Sequence, residues 1–245
     1  MKDPGPMTPP HPTLEQVLRR GDVWRGHSQA FVAREAISSG FENCDSALLN
    51  NGWPTRSLIE LCLRYKHSNS VFGGEWRLFV PVIKFICGQQ ADNFVVLLNP
   101  PATPFAPAFI QEGIPLNQLL VVEANKKQDF IASFTELSRS SHCGILLAWQ
   151  PGQQLSYTEL RKCQLACNEA QGLYILFRSH QATKQSSPAP LRLTITLEEE
   201  QLKIDIFKQR GLVNNREFFL NLPEHWQTKQ APKNIVHFPS ANSRS

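Results

Sequence analysis

Five short apolar runs, separated by stretches of helical spacing, constrain what this chain can fold into more than any other feature. The runs lie at 58–63, 94–98, 119–122, 145–149 and 173–177. Between them, segments at about 74–87, 104–112, 126–140 and 156–171 place apolar residues three and four apart. The runs are continuous rather than alternating, as strands buried on both faces of a parallel sheet require. Strand–helix alternation with right-handed crossovers then predicts an α/β core, a mostly parallel sheet with helices on its faces. Ser156 with Glu159 three residues later is a capping box opening the last helix, and Gly172 is expected to stop it.

Beyond that core the pattern changes. A polar loop at 180–190 precedes two alternating segments, LRLTITL (191–197) and QLKIDIFK (201–208). Leu191, Leu193, Ile195 and Leu197 share one face, and Arg192, Thr194 and Thr196 share the other. That is the pattern of a half-buried antiparallel hairpin closing the sheet. Four regions follow from these boundaries: a disordered tail at 1–12, a helical segment and linker at 13–56, a core at 57–211, and a basic, partly flexible tail at 212–245. The first tail holds five prolines, and Thr13 with Gln16 can cap the helical segment.

With 245 residues, 41% of them hydrophobic, the chain can bury one sizeable core without staples. No apolar run is long enough to span a bilayer, and MKDPGPMTPPHPT lacks the apolar stretch of a signal peptide. A soluble, cytoplasmic protein with no membrane partner is expected. The six cysteines are scattered without a CxxC, so no disulfide framework or zinc site is expected. Cys163 and Cys167, four apart, are read as the buried face of a helix. The net charge of +4 resides in 201–245, where seven basic residues face three acidic ones. That excess suits an acidic partner or nucleic acid, and equally a solvated tail.

In an open α/β sheet the first strand–helix turn is the usual phosphate cradle. Here it reads RYKHSNSVFGGEW (64–76), with the glycine pair Gly73–Gly74. A P-loop carries lysine and a hydroxyl after its second glycine. This chain has Glu75 and Trp76, and a carboxylate at that position repels a triphosphate. The glycine pair therefore reads as a tight turn, a degenerate phosphate loop formed by Gly73, Gly74 and Glu75. No GxSxG, HExxH or paired-carboxylate motif occurs. His142 and Cys143 are neighbours whose side chains diverge on a strand, a poor nucleophile–base pair. Neither an enzyme nor a cofactor or metal is expected.

The order of segments resembles the RecA ATPase core, and more closely the ImuA family, SulA-like accessory proteins of bacterial SOS mutagenesis. The resemblance rests on VWRG (23–26), GGEWRLFVPVI (73–83), NPPATPFAPAF (99–109), GILLAW (144–149), LRKCQLACNEAQGLYILFR (160–178) and the hairpin through KQRG (208–211). It spans roughly residues 13–211 and implies a RecA-like fold. It also puts Glu75 at the P-loop lysine, Pro101 at the catalytic glutamate and Trp149 at the magnesium-directing aspartate. Hydrolysis needs all three functions, so the resemblance implies a scaffold used for protein contacts. For an ImuA-like protein the implied role is an adaptor in SOS-induced translesion synthesis. Its implied partners are an ImuB-like Y-family protein, RecA and a DnaE-type polymerase. A SulA-like protein would instead arrest division by binding FtsZ.

Contact residues are sought among arginines and aromatics, which dominate interface hot spots. Arg19, Arg20, Trp24 and Arg25 precede the core, and Trp24 can equally pack on it. Lys208, Arg210 and Arg216 follow the hairpin, as candidates for a partner or for DNA. No aromatic platform is interleaved with them, so direct DNA contact rests on charge alone. Phe218, Phe219 and Trp226 are read as a docking peptide or a strap on the core.

Overall fold

The computed structural model of the protein describes residues 35–64, 74–198, 201–210 and 216–221. Two short strands, β1 (Ala36–Ile37) and β2 (Trp53–Pro54), pair antiparallel in a ribbon of their own. The main sheet is built from β3 (Leu58–Arg64), β4 (Phe94–Leu98), β5 (Leu119–Val122), β6 (Cys143–Trp149), β7 (Leu173–Ser179), β8 (Leu191–Glu198), β9 (Gln201–Gln209) and β10 (Arg216–Asn221). Its strand order is β10-β9-β8-β3-β7-β6-β4-β5. From β8 to β5 every neighbouring pair is parallel, whereas β8–β9 and β9–β10 are antiparallel. This is the mostly parallel α/β sheet with flanking helices and a terminal antiparallel hairpin that the apolar runs predict.

The helices are α1 (Glu42–Ala47), α2 (Val80–Gln89), α3 (Ala106–Gln111), α4 (Lys127–Arg139) and α5 (Tyr157–Glu169). They divide the interior into two cores, one on each face of the sheet, because successive strand residues point to opposite sides. One face gathers Ile59, Leu61, Leu147, Ile175 and Leu193 under α1 and α2 with Trp53 and Phe79. The other gathers Leu146, Tyr174 and Leu176 under Phe130 and Phe134 of α4 and Leu160, Cys163 and Cys167 of α5. Both cysteines are buried in this second core, as their helical spacing implies. Burial pushes the Cys163 thiol up to about 12, far from the range of a nucleophile.

Local chemistry explains the element ends. Ser156 accepts from the Glu159 backbone N–H and Glu159 accepts in return from that of Ser156, so α5 opens on the expected capping box. Its stop differs from expectation. The helix ends at an extended Ala170, and Gly172 is not in the left-handed region. Gly172 matters instead for close approach: a Cβ there would lie 2.5 Å from the Cys143 carbonyl oxygen.

Two stretches outside the expected 57–211 core also pack on it. Residues 35–56, read as linker, contribute Cys44, Leu48 and a fully buried Trp53 to the first core. The tail expected from 212 contains β10, which pairs with β9 from Arg216 opposite Ile206 to Asn221 opposite Gln201. Phe218 and Leu220 continue the apolar face of β9, and the consecutive FFL triplet hides that alternation in the sequence. Residues 1–12 and 222–245 lie outside the described residues. Among the described residues no helix is long and apolar enough to cross a membrane.

Candidate functional site

The carboxyl ends of β4 and β6 face a cavity of about 260 Å³. This is the crevice where open α/β sheets bind ligands. Gly74, Pro101 and Trp149 all line it, so three separate stretches of sequence meet at one place. Gly74 caps a 3-10 turn, Glu75–Phe79, that leads directly into α2, with Pro81 in the first turn of the helix. Its φ of −111° and ψ of −1° are open to any residue, so the backbone at 74 does not itself demand glycine. Gly73 lies outside the described residues.

Glu75 turns inward and is 1% exposed. The indole N–H of Trp149, at the end of β6, donates to its Oε1 at 2.7 Å. The residues at the lysine and aspartate positions of the resemblance are therefore bonded to each other. Burial raises the Glu75 carboxyl from 4.5 to about 6, against the downward pull of the indole and of its own backbone N–H. Its Oε2 is buried without a hydrogen-bond partner among the described residues. The indole itself is fixed by stacking on Phe177 of β7, with centroids 4.7 Å apart.

The NPP segment is held just as firmly. Asn99 takes a left-handed conformation (φ 53°), which asparagine tolerates. Its backbone N–H donates to Val122 O at 2.8 Å and its side-chain amide to Ala124 O at 2.7 Å. That clamp to the end of β5 directs Pro100 and Pro101 over the cavity. Trp76 stacks on Phe109 of α3 with centroids 4.3 Å apart, completing an aromatic wall. The lining is thus largely apolar and aromatic, with Arg77 the one charged side chain among the described lining residues. Such a surface offers contact area, and a carboxylate lies where a polyphosphate would need a cation. Among the described residues no group of three or more His, Cys, Asp and Glu could hold a metal ion.

The expected contact residues divide. Arg19, Arg20, Trp24 and Arg25 lie outside the described residues. Lys208, Arg210 and Arg216 do not form one patch. Lys208 pairs with Arg192 across β8–β9 and donates to Ser187 O at 2.7 Å. Burial and then the charge of Arg192 push its ammonium below the usual range. Arg216 is on the opposite face, where it donates to Ser46 O of α1 at 2.9 Å. Arg210 is exposed at the end of β9. Lys208 on β9 and Arg216 on β10 are thus parted by the two faces of the sheet.

A cluster not singled out in the sequence lies in the middle of the sheet. Glu60 of β3 accepts from Arg178 Nη1 at 3.1 Å, from Arg192 Nε at 2.8 Å and from the Ser187 hydroxyl. All four residues are buried. The two guanidiniums also bind the loop that follows β7: Arg192 donates to Ala182 O and Gln185 O, and Arg178 to Gln185 Oε1. The available signal was a glutamate inside the apolar run LIELCL. A charge there must be paired to be tolerated.

Fold and site together define a mixed α/β domain whose ligand crevice is walled by its own aromatic and proline side chains. Compared with protein-family models and with curated proteins, the sequence matches none. Among solved structures the chain is similar, at a distance, to SulA from Pseudomonas aeruginosa. The identity is 17% over 49% of this chain and 97% of that one, with a TM-score of 0.38.

Proposed function

We propose that this chain is a non-catalytic α/β scaffold that works through protein contacts, as an adaptor in SOS-induced translesion synthesis. Its partners in this reading are RecA, an ImuB-like Y-family protein and a DnaE-type polymerase. The observation that carries the non-catalytic part is the bond between Trp149 and Glu75, 2.7 Å long in the crevice of the sheet. A triphosphate placed there would meet a carboxylate and an indole in place of a cation and a metal ligand. The choice of partners rests on the segment resemblance between residues 13 and 211.

The test is a side-by-side pull-down of the full chain on immobilised RecA and on FtsZ at near-physiological salt, which screens loose charge contacts. Retention by RecA and not by FtsZ is expected. Retention by FtsZ alone would replace the adaptor with a SulA-type division inhibitor. Labelled ATP provides a separate check on the scaffold: no saturable binding is expected at micromolar concentration. Saturable binding lost on Gly74→Val would overturn the non-catalytic reading.

A further inference from the structure

We propose that the cavity beyond β4 and β6 is an anchoring pocket for one large aromatic side chain of a partner protein, with an acidic residue beside it that meets Arg77. The proposal deepens the adaptor reading and rests on it only in taking the occupant to be part of a protein. At about 260 Å³ the cavity lies just under the ~300–1,000 Å³ of small-molecule sites. It suits a single bulky side chain better than a cofactor. Trp76, Phe109 and Trp149 form its flat walls, Pro100 and Pro101 part of its rim, and Leu97 of β4 reaches it from the sheet.

Those walls are already ordered. Trp76 is stacked on Phe109 with an interplanar angle of 14°, Trp149 on Phe177 at 20°, and the indole of Trp149 is tethered to Glu75. A rigid pocket spares an incoming aromatic ring the entropy of ordering its walls. Central pockets of this kind hold the anchor residues that dominate protein interfaces. The rim continues the same character outward at Phe105, which is 70% exposed.

Charge decides the neighbour of the anchor. Arg77 is the one charged residue among the described lining residues, 5.8 Å from the Trp76 ring centroid. Its Nε is buried and has no hydrogen-bond partner among the described residues. Glu75 does not serve it: Oε1 is taken by Trp149, and Oε2 has no hydrogen-bond partner among the described residues. The rest of the side chain is part-exposed in the cavity lining, and a carboxylate is the strongest acceptor a guanidinium can meet there.

The experiment follows the indole N–H signals of the ¹⁵N-labelled full chain during titration with three blocked dipeptides. These are N-acetyl-Phe-Asp-amide, N-acetyl-Phe-Lys-amide and N-acetyl-Ala-Asp-amide. Saturable shifts of Trp76 and Trp149 are expected with Phe-Asp, while Trp53, fully buried away from the cavity, stays fixed. Phe-Lys should bind about threefold more weakly, the size of a partly exposed charge contact. Ala-Asp should cause no saturable shift. Thr103→Trp, at an exposed rim position that tolerates bulk, should weaken Phe-Asp binding by about tenfold or more. Arg77→Gln should erase the preference for Asp over Lys and keep the phenylalanine requirement. No saturable shift with Phe-Asp, equal shifts with Ala-Asp, or indifference to Thr103→Trp would each overturn the proposal. Loss of RecA retention with these shifts intact would remove the adaptor reading and leave the pocket. The reverse pattern would remove the pocket alone.

Discussion

Glu60 and Glu75 lie equally deep, at 0% and 1% exposure, and have opposite surroundings. Glu60 sits mid-sheet, directly opposite Arg192 on β8, while Arg178 reaches it from β7 on the other side. Both of its oxygens are used, and the two arginines extend the network into the loop after β7. Glu75 sits at the carboxyl end of the sheet, where among the described residues one indole bonds one oxygen and the other has no partner. Depth alone therefore says little about what a buried carboxylate does. Glu60 joins strands to a loop. Glu75 occupies a ligand crevice, and its raised pKa records that its charge is poorly compensated there.

The sharpest way to break this contrast is Glu60→Gln. It leaves two buried guanidiniums without their counter-charge, a loss of about 3–5 kcal/mol for a broken buried network. Urea unfolding at pH 7 should show the midpoint falling steeply, or the protein failing to accumulate in folded form. Glu75→Gln, measured alongside, should cost far less. Equal losses would mean that the two carboxylates play the same part and the contrast is false.

The same pair shows what could be read from the sequence. The five central strands and the helices between them follow from continuous apolar runs, because a sheet covered on both faces leaves no polar period to confuse them. Glu75 departs from a phosphate loop on its own residues, and the family resemblance implied the further departures at Pro101 and Trp149, one residue at a time. The bond between Glu75 and Trp149 was not, since nothing in the spacing of residues 75 and 149 says that their side chains meet. The burial of Arg192 was not legible for a related reason, although its face was. Its alternation with Leu191 and Leu193 assigns it to the open face of a hairpin, yet the loop at 180–190 covers that face locally and buries it. Periodicity reports which face a residue is on. It does not report what a distant loop lays over that face.

A middle-sized effect should come from the titration of Glu75. Its pKa rises from 4.5 to about 6 on folding, so the folded state keeps a proton that the unfolded chain has lost. Stability should therefore fall as pH rises between 4.5 and 6, by about 2 kcal/mol in all. Glu75→Gln keeps an acceptor for the indole and removes the titration. The difference in unfolding free energy between variant and parent should thus shift in the variant's favour by that amount from pH 4 to pH 7. A flat difference across this range would mean that Glu75 is better solvated or better paired than its surroundings indicate.

The smallest effect isolates the indole N–H. Trp149→Phe keeps an aromatic ring to stack on Phe177 and deletes the donor to Glu75. At pH 4, with Glu75 protonated, the loss should be that of one ordinary hydrogen bond, about 1 kcal/mol. Toward pH 7 it should grow, because the ionised carboxylate loses the donor that supports its charge. The pH window of falling stability should extend upward in this variant, since the raised pKa climbs further once the indole is gone. In the double variant with Glu75→Gln, the growth toward neutral pH should vanish while the loss at pH 4 remains. A cost for Trp149→Phe that is the same at both pH values would show that the indole supports the cavity wall by packing alone. Glu75 would then hold its place without it, and the difference from the fully clasped Glu60 would be wider still.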